Sequence, residues 1–192
     1  MSRLDRSFFA RDSSRVAREL LGAVLVRARE RETLKGRIVE TEAYYGEADP
    51  PSHAFSGKTG RSEIMWKKPG LAYVYLVYGV HLMLNVVTEP SGTPGAVLIR
   101  AVEPLEGLET MKTNRGRSDV ESLTDGPGKL TEAFAVGKGK NGDDLISSGE
   151  LWLSEGERRT EEKVASSGRI GVTRGEEEQL RFFLPGNEFV SE

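Results

Sequence analysis

Glu42 and Tyr44 stand two residues apart in a segment, residues 35–45, that has strand character. Alternate residues of a strand project from the same face, so the carboxylate of Glu42 and the ring of Tyr44 are expected to lie side by side. Such a pair could supply a general base and a stacking platform for a planar substrate. The spacing also suits an ordinary strand, because Glu42 is one of 30 acidic residues and Tyr44 could belong to the core. The predicted face carries Ile38, Glu40, Glu42 and Tyr44.

Residues 71–88 contain the strongest local pattern, two strand-like runs rich in Val, Leu and Tyr that meet near Tyr78. A three-residue hairpin loop, Val77-Tyr78-Gly79, with a left-handed Gly79 would place Tyr78 at the tip. One hairpin face is then aliphatic, with Val74, Leu76, Val80, Leu82, Leu84 and Val86. The other carries Tyr73, Tyr75, His81, Met83 and Asn85, a composition that exposure at a sheet edge would also explain.

The framework that positions these residues is expected to be one domain, residues 1–192, of the α+β class. It should combine a largely antiparallel curved sheet with flanking helices and a protruding β-hairpin. Residues 46–70 are rich in Gly and Pro and predict a long, mostly irregular segment, which in a compact domain is usually functional or disordered. Helices are predicted from Ser13 or Ser14 to Gly22, from Pro104, and over 128–136; further strands are predicted at 23–28, 96–102, 151–153, 169–173 and 180–184.

Composition narrows the function classes. The chain has 192 residues, of which 37% are hydrophobic and 30% charged, as in a water-soluble globular protein. It has no cysteine, which excludes disulfides, thiolate metal sites and a cysteine nucleophile, and its two histidines argue against a zinc site. No apolar run reaches the roughly 18 residues of a membrane span, and no signal peptide is evident, so a cytoplasmic location is expected.

Charge is unevenly distributed along the chain, whose formal net charge is −3. Residues 145–192 carry 10 acidic and 6 basic side chains, a balance of −4, whereas residues 53–69 carry four basic side chains against Glu63, a balance of +3. A second basic cluster comprises Lys112, Arg115 and Arg117. Even on a mildly acidic protein, such patches could neutralise a few phosphates of a nucleic acid, or they could simply be solvated surface.

Taken together, these segments resemble the alkyladenine DNA glycosylase (3-methyladenine DNA glycosylase) family. The residues that carry the resemblance are Arg37–Tyr44 (RIVETEAY), His53, Pro69–Gly79 (PGLAYVYLVYG), Asn85 and Val97–Leu105 (VLIRAVEPL). The similarity continues through Leu20–Val26 (LLGAVLV), Asp125–Leu130 (DGPGKL), Arg169–Val172 (RIGV) and Leu180–Phe183 (LRFF). It therefore spans nearly the whole chain.

The resemblance implies a role for each candidate residue. Glu42 matches the general base that activates the attacking water, and Arg100 the arginine that helps to position them, with a further hydrogen bond from the backbone near Ile170. Tyr44, His53 and Tyr75 match the aromatic walls of the base pocket, and Asn85 lines it near the purine 2-position. Tyr78 matches the residue that intercalates into DNA where the flipped nucleotide has left. His81 has no assigned role.

The implied reaction is hydrolysis of the N-glycosidic bond of a damaged purine flipped out of duplex DNA. It needs no metal and no cofactor, and the partner would be double-stranded DNA containing damaged purines, bound by a monomer. If the chain comes from a prokaryote, the enzyme is expected to be associated with the nucleoid. Two other readings stay open: a lesion-binding module without chemistry, and a small-molecule hydrolase that uses Glu42 on a nucleoside.

Overall fold

The computed structural model describes residues 2–30, 32–156, 162–175 and 177–191. Its eight strands form one sheet, in which every pairing is antiparallel. Five of these are β1 (Val24–Arg29), β2 (Glu32–Tyr44), β3 (Ala72–Val77), β4 (His81–Val87) and β5 (Ala96–Glu106). The last three are β6 (Leu151–Ser154), β7 (Ala165–Ser167) and β8 (Arg181–Phe183). The helices are α1 (Arg6–Phe9), α2 (Ser13–Glu19), α3 (Leu108–Arg115) and α4 (Pro127–Ala133), with 3₁₀ turns at Glu63–Trp66 and Lys138–Lys140.

Strand β2 is the centre of the sheet, whose order is β3-β4-β5-β2-β1-β6. One edge of β2 pairs with β5, and the other is shared between β1 and, at Glu40–Glu42, β8. The register between β2 and β5 is irregular from Ile38 to Thr41, opposite the part of β5 that contains Arg100. Such irregularities bend a strand and redirect its side chains. This sheet and its few helices confirm the predicted α+β class.

Apolar side chains cover the inner face of the sheet, against which α2 and α4 pack. A smaller buried cluster of Ala54, Ile64, Met65, Leu71, Tyr73, Val87 and Ala96 joins the irregular segment to β3–β5. This second cluster holds the part of the hairpin that carries Tyr73 and Tyr75 against the irregular segment. No helix among the described residues is long and apolar enough to cross a membrane.

The hairpin divides its residues between two faces as predicted, but its loop is Tyr78-Gly79-Val80 rather than Val77-Tyr78-Gly79. Val77 pairs with His81, and the amide of Val80 donates to the carbonyl of Val77 at 3.2 Å. Tyr78 and Gly79 both have positive φ, 51° and 75°. Val80 therefore leaves the aliphatic face and is 71% exposed in the loop.

The start of one predicted helix and the whole of one predicted strand are wrong. No helix begins at Pro104, because β5 continues to Glu106 and Gly107, with φ 83°, turns the chain into α3. Pro104 pairs with Gly36 beside a register shift, where a missing backbone donor is tolerated. Residues 169–173 form a turn instead of a strand, and β7 precedes them. The other predicted helices shift slightly: α2 is capped by Asp12 and α4 ends at Ala133.

Candidate active site

A cavity of about 250 Å³ opens between the hairpin, β5, the 51–53 turn and the turn that follows β7. It is smaller than the roughly 300–1,000 Å³ of typical sites for drug-sized ligands, which suits a group the size of one nucleobase. Seven of the eight predicted site residues line it: Tyr44, His53, Tyr75, Tyr78, Asn85, Arg100 and Ile170. Eleven further lining residues had no predicted role in the site, among them Met65, Met83, Leu98 and Pro127.

Glu42 lies directly behind this lining and is 0% exposed. Its Oε1 accepts a hydrogen bond from the amide of Ile170 at 2.7 Å and lies 3.2 Å from Nη1 of Arg100. Its Oε2 accepts from the hydroxyl of Tyr44 at 2.7 Å. A carboxylate offers about four acceptor positions, so these three contacts leave one on Oε2 for a further donor.

Arg100 bridges two buried carboxylates. Its Nε donates to Oε1 of Glu40 at 2.8 Å while Nη1 faces Glu42. Burial alone would lower the pKa of Arg100, but Glu42 and Glu40 outweigh this effect and raise it, so the guanidinium stays charged. The floor of the cavity is thus a buried ion-pair network.

Arg169 fixes the turn that delivers the amide of Ile170. Its guanidinium, 0% exposed, donates to both carboxylate oxygens of Asp49 at 2.8 Å and to the carbonyl of Ala43 at 3.0 Å. It also lies 4.8 Å from the ring centroid of Tyr44. One side chain therefore supports both the Tyr44 wall and the backbone donor to Glu42, a role that the sequence analysis missed.

The aromatic walls contact one another. The rings of His53 and Tyr75 meet edge to face with centroids 4.5 Å apart, and those of Tyr73 and Tyr75 are 5.0 Å apart. Nδ1 of His53 shares a hydrogen bond of 2.7 Å with the hydroxyl of Tyr73. Asn85 is buried in the wall, and its Nδ2 donates to the backbone carbonyl of Tyr73 at 3.1 Å.

Burial sets the protonation of these walls. It raises the pKa of Tyr75 to about 12 and raises the pKa of Tyr44 well above its ordinary value, so both phenols stay neutral. For His53, burial and then the nearby Arg61 lower the pKa. The cavity therefore presents neutral, electron-rich rings at neutral pH, as a cationic guest would require.

Tyr78 lies at the mouth of the cavity and is 88% exposed. His81, in the strand that follows, is also exposed. Within the described parts of the chain, no group of three or more His, Cys, Asp or Glu side chains could hold a metal ion.

Comparisons with known proteins show which family this sequence matches. The model of a family described as methylpurine-DNA glycosylase (MPG) matches residues 7–188. A relative from Chlorobium phaeobacteroides is 48% identical over 188 residues, which cover 97% of this chain and 95% of the relative. One from Salinibacter ruber is 48% identical over 202 aligned residues, with coverages of 100% and 97%. Both carry the name "Putative 3-methyladenine DNA glycosylase".

A third relative with that name, from Carboxydothermus hydrogenoformans, is 45% identical over 188 residues and is covered over 98% of both chains. The family match and these relatives extend along almost the entire sequence, and the matched range 7–188 includes every residue of the cavity described above. The chain therefore belongs to the methylpurine-DNA glycosylase family and is a DNA-repair hydrolase that acts on N-glycosyl bonds.

Proposed function

We propose that this chain flips damaged purines of the 3-methyladenine, 7-methylguanine and hypoxanthine class out of double-stranded DNA and hydrolyses their N-glycosidic bonds. Water activated by Glu42 would be the nucleophile, and base excision repair would begin with the resulting abasic site. The observation that carries the proposal is the convergence of a paired, buried carboxylate on a nucleobase-sized aromatic cavity.

The attacking water would occupy the remaining acceptor position on Oε2 of Glu42 and displace the purine from C1′. Because Tyr44 already donates to Oε2 of the buried Glu42, the Tyr44 hydroxyl would share this oxygen with the attacking water. A transition state with oxocarbenium character develops positive charge on the sugar, which the carboxylate also stabilises. Alkylation at N3 or N7 gives a cationic purine that leaves readily and interacts favourably with the faces of Tyr44 and Tyr75.

The enzyme would be monofunctional. A Schiff-base lyase step needs an amine beside C1′, and among the described residues no lysine lines the cavity. Neutral hypoxanthine must gain a proton as it leaves. Since burial raises the pKa of both Tyr44 and Tyr75 well above neutral, neither phenol is an evident acid for that step.

Duplex recognition would centre on Tyr78, which would fill the gap left by the flipped nucleotide and offset part of the unstacking cost of a few kcal/mol. The basic segment 53–69 borders the cavity and is the first candidate for phosphate contacts. A monomer would be sufficient, because every residue of the proposed site comes from one chain.

The test is single-turnover excision from duplexes that each contain one hypoxanthine. Glu42→Gln is expected to lower the rate constant by at least about 100-fold, the usual contribution of a general base. Binding is measured on the same duplex with a 2′-fluoro sugar, which is not cleaved because fluorine opposes oxocarbenium formation. The Glu42→Gln variant should bind this duplex nearly as tightly as the wild type. Glu47→Gln, an exposed carboxylate five residues away, is the matched control and should keep the wild-type rate.

Full excision by Glu42→Gln would remove this residue from the mechanism. Tight lesion binding by a wild-type protein that excises none of the lesions would instead favour the lesion-binding module. Preference for free nucleosides over duplexes would favour the small-molecule hydrolase.

A further inference from the structure

Two residues before Glu42, a second carboxylate is entirely enclosed by protein. Glu40 is 0% exposed and accepts four hydrogen bonds within the described residues. Oε1 accepts from Nε of Arg100 at 2.8 Å, Nε of Arg181 at 2.6 Å and Oγ of Ser191 at 2.8 Å, and Oε2 accepts from the amide of Ser191 at 2.8 Å. Glu42 contacts three lining residues, Tyr44, Arg100 and Ile170. In the described part of the chain, Glu40 touches the lining only through Arg100, so it would act on the reaction through that arginine.

These contacts determine how Arg100 meets Glu42. Nε of Arg100 is held by Glu40, and Nη2 donates to Oγ of Ser191 at 3.2 Å. A guanidinium is a rigid planar fork, so fixing two of its nitrogens also fixes the third. Only Nη1 is then directed at Glu42, where it lies 3.2 Å from Oε1.

The alternative arrangement would be less useful for catalysis. An arginine that faces a single carboxylate tends to bind both oxygens through two parallel hydrogen bonds. If Arg100 did so here, it would occupy Oε2 of Glu42, the oxygen that has an acceptor position left for water. Sharing Arg100 with Glu40 prevents this. The cluster also balances its charges, with the carboxylates Glu40 and Glu42 against the guanidiniums Arg100 and Arg181.

We infer that Glu40 and Ser191 are positioning residues for the reaction: they hold two nitrogens of Arg100 so that the third contacts one oxygen of Glu42 and the other oxygen stays open to water. The inference rests on the proposed function. It assigns a part in the chemistry to the segment after β8, whose Ser191 reaches the floor of the cavity from behind.

The experiment compares single-turnover excision of hypoxanthine with binding of the 2′-fluoro duplex for Ser191→Ala, Ser191→Thr and Glu40→Gln. Ser191→Ala removes the hydroxyl without changing charge and is expected to slow excision about 3- to 10-fold, with binding unchanged within about 2-fold. Glu40→Gln should slow it about 10- to 100-fold, in the range that a small misplacement of reacting groups costs. Ser191→Thr keeps a hydroxyl and should restore a rate near that of wild type.

Glu103→Gln is the matched control, because it weakens another carboxylate–arginine pair between the same two strands, Glu103 with Arg37, without touching Arg100. It should leave excision unchanged. If the wild type is active and Glu42→Gln is inactive, but Ser191→Ala and Glu40→Gln both excise at the wild-type rate, this inference is overturned and the proposed function is not. Equal losses in Ser191→Ala and Ser191→Thr that follow melting temperature would also overturn it. An inactive wild type would overturn the proposed function and this inference with it. If Glu40→Gln does not fold, the two Ser191 variants decide.

Discussion

The floor of the cavity and the tip of the hairpin differ in how firmly they are held. On the floor, Glu42 and Arg100 are buried and each contacts several fixed partners. At the tip, Tyr78 is 88% exposed and Val80 71% exposed, in a loop with two consecutive positive φ angles. The two regions are joined by β3, which ends at the tip, and β4, which begins there; both strands carry residues of the cavity wall.

The difference follows from what each region must do. Charged groups act strongly on a reacting bond only where water is excluded and their geometry is fixed, which requires buried partners. A wedge must instead reach into a duplex, so its apolar surface stays exposed until DNA covers it. We therefore expect floor variants to lose stability and chemistry together, and tip variants to lose binding alone.

Arg100→Gln should have the largest effect. It leaves Glu40 and Glu42 buried without their shared cation, and breaking a buried pair usually lowers the free energy of unfolding by about 3–5 kcal/mol. Single-turnover excision should fall at least about 100-fold, because the base loses its positioning group. Urea denaturation and the excision assay measure the two effects. A variant as stable as the wild type would contradict the comparison, and the double variant with Glu40→Gln should lose less stability than the sum of the single losses.

Arg169→Met tests the second support of the floor. It leaves Asp49, which is 2% exposed, without the guanidinium that binds both of its oxygens, so the free energy of unfolding should fall by about 3 kcal/mol. Excision should fall about 10-fold, since both Tyr44 and the amide of Ile170 lose their support. The control Asp49→Asn/Arg169→Met should recover part of the stability but not the rate. Unchanged excision would show that Arg169 is only structural.

Local patterns predicted what depends on local geometry. The two-residue period of β2 placed Glu42 beside Tyr44, and the two faces of the hairpin were correct although its loop was displaced by one residue. The faces survived because both registers use a three-residue loop, so odd and even positions keep their sides. The family resemblance, rather than spacing, brought Arg100, His53 and Ile170 to the same site.

The missed features depend on contacts between distant parts of the chain. Arg169 and Asp49 are 120 positions apart, and Ser191 and Glu40 are 151 apart, so neither pair leaves a periodic signal. Pro104 is a favourable first helical residue, but its pairing with Gly36 in β2 decided its conformation. For Pro104, a tertiary contact overrode the local preference, and for the two distant pairs there was no local pattern to interpret.

Tyr78→Ala should alter binding without altering the fold. Because the side chain is already exposed, the free energy of unfolding should change by less than about 0.5 kcal/mol. Affinity for the 2′-fluoro lesion duplex should fall about 10-fold, within the range expected for one lost stacking contact. Tyr78→Phe keeps the ring and is the control, which should bind like the wild type in a fluorescence anisotropy titration. Equal binding by the alanine variant would remove Tyr78 from the flipping step.

His53 should produce the smallest effect, a change in lesion preference with pH. Burial and then Arg61 lower its pKa below the ordinary value of about 6.5, so His53 is neutral at pH 7 and becomes cationic only as the pH falls through that lowered value. A cationic His53 repels cationic 7-methylguanine but not neutral hypoxanthine. The ratio of the 7-methylguanine to the hypoxanthine excision rate constant should therefore stay constant near neutral pH and fall as the pH drops through that lowered pKa.

Two histidine variants isolate the origin of that pH dependence. His53→Asn should make the ratio of the two excision rate constants nearly independent of pH, because no wall residue gains charge in this range. His81→Asn, which changes the exposed histidine of β4, should keep the wild-type dependence. A wild-type slope that persists in His53→Asn would mean that the charge lies on the substrate or elsewhere in the protein. The aromatic wall would then select purines by shape and stacking, and only the buried charges of the floor would act on the substrate electrostatically.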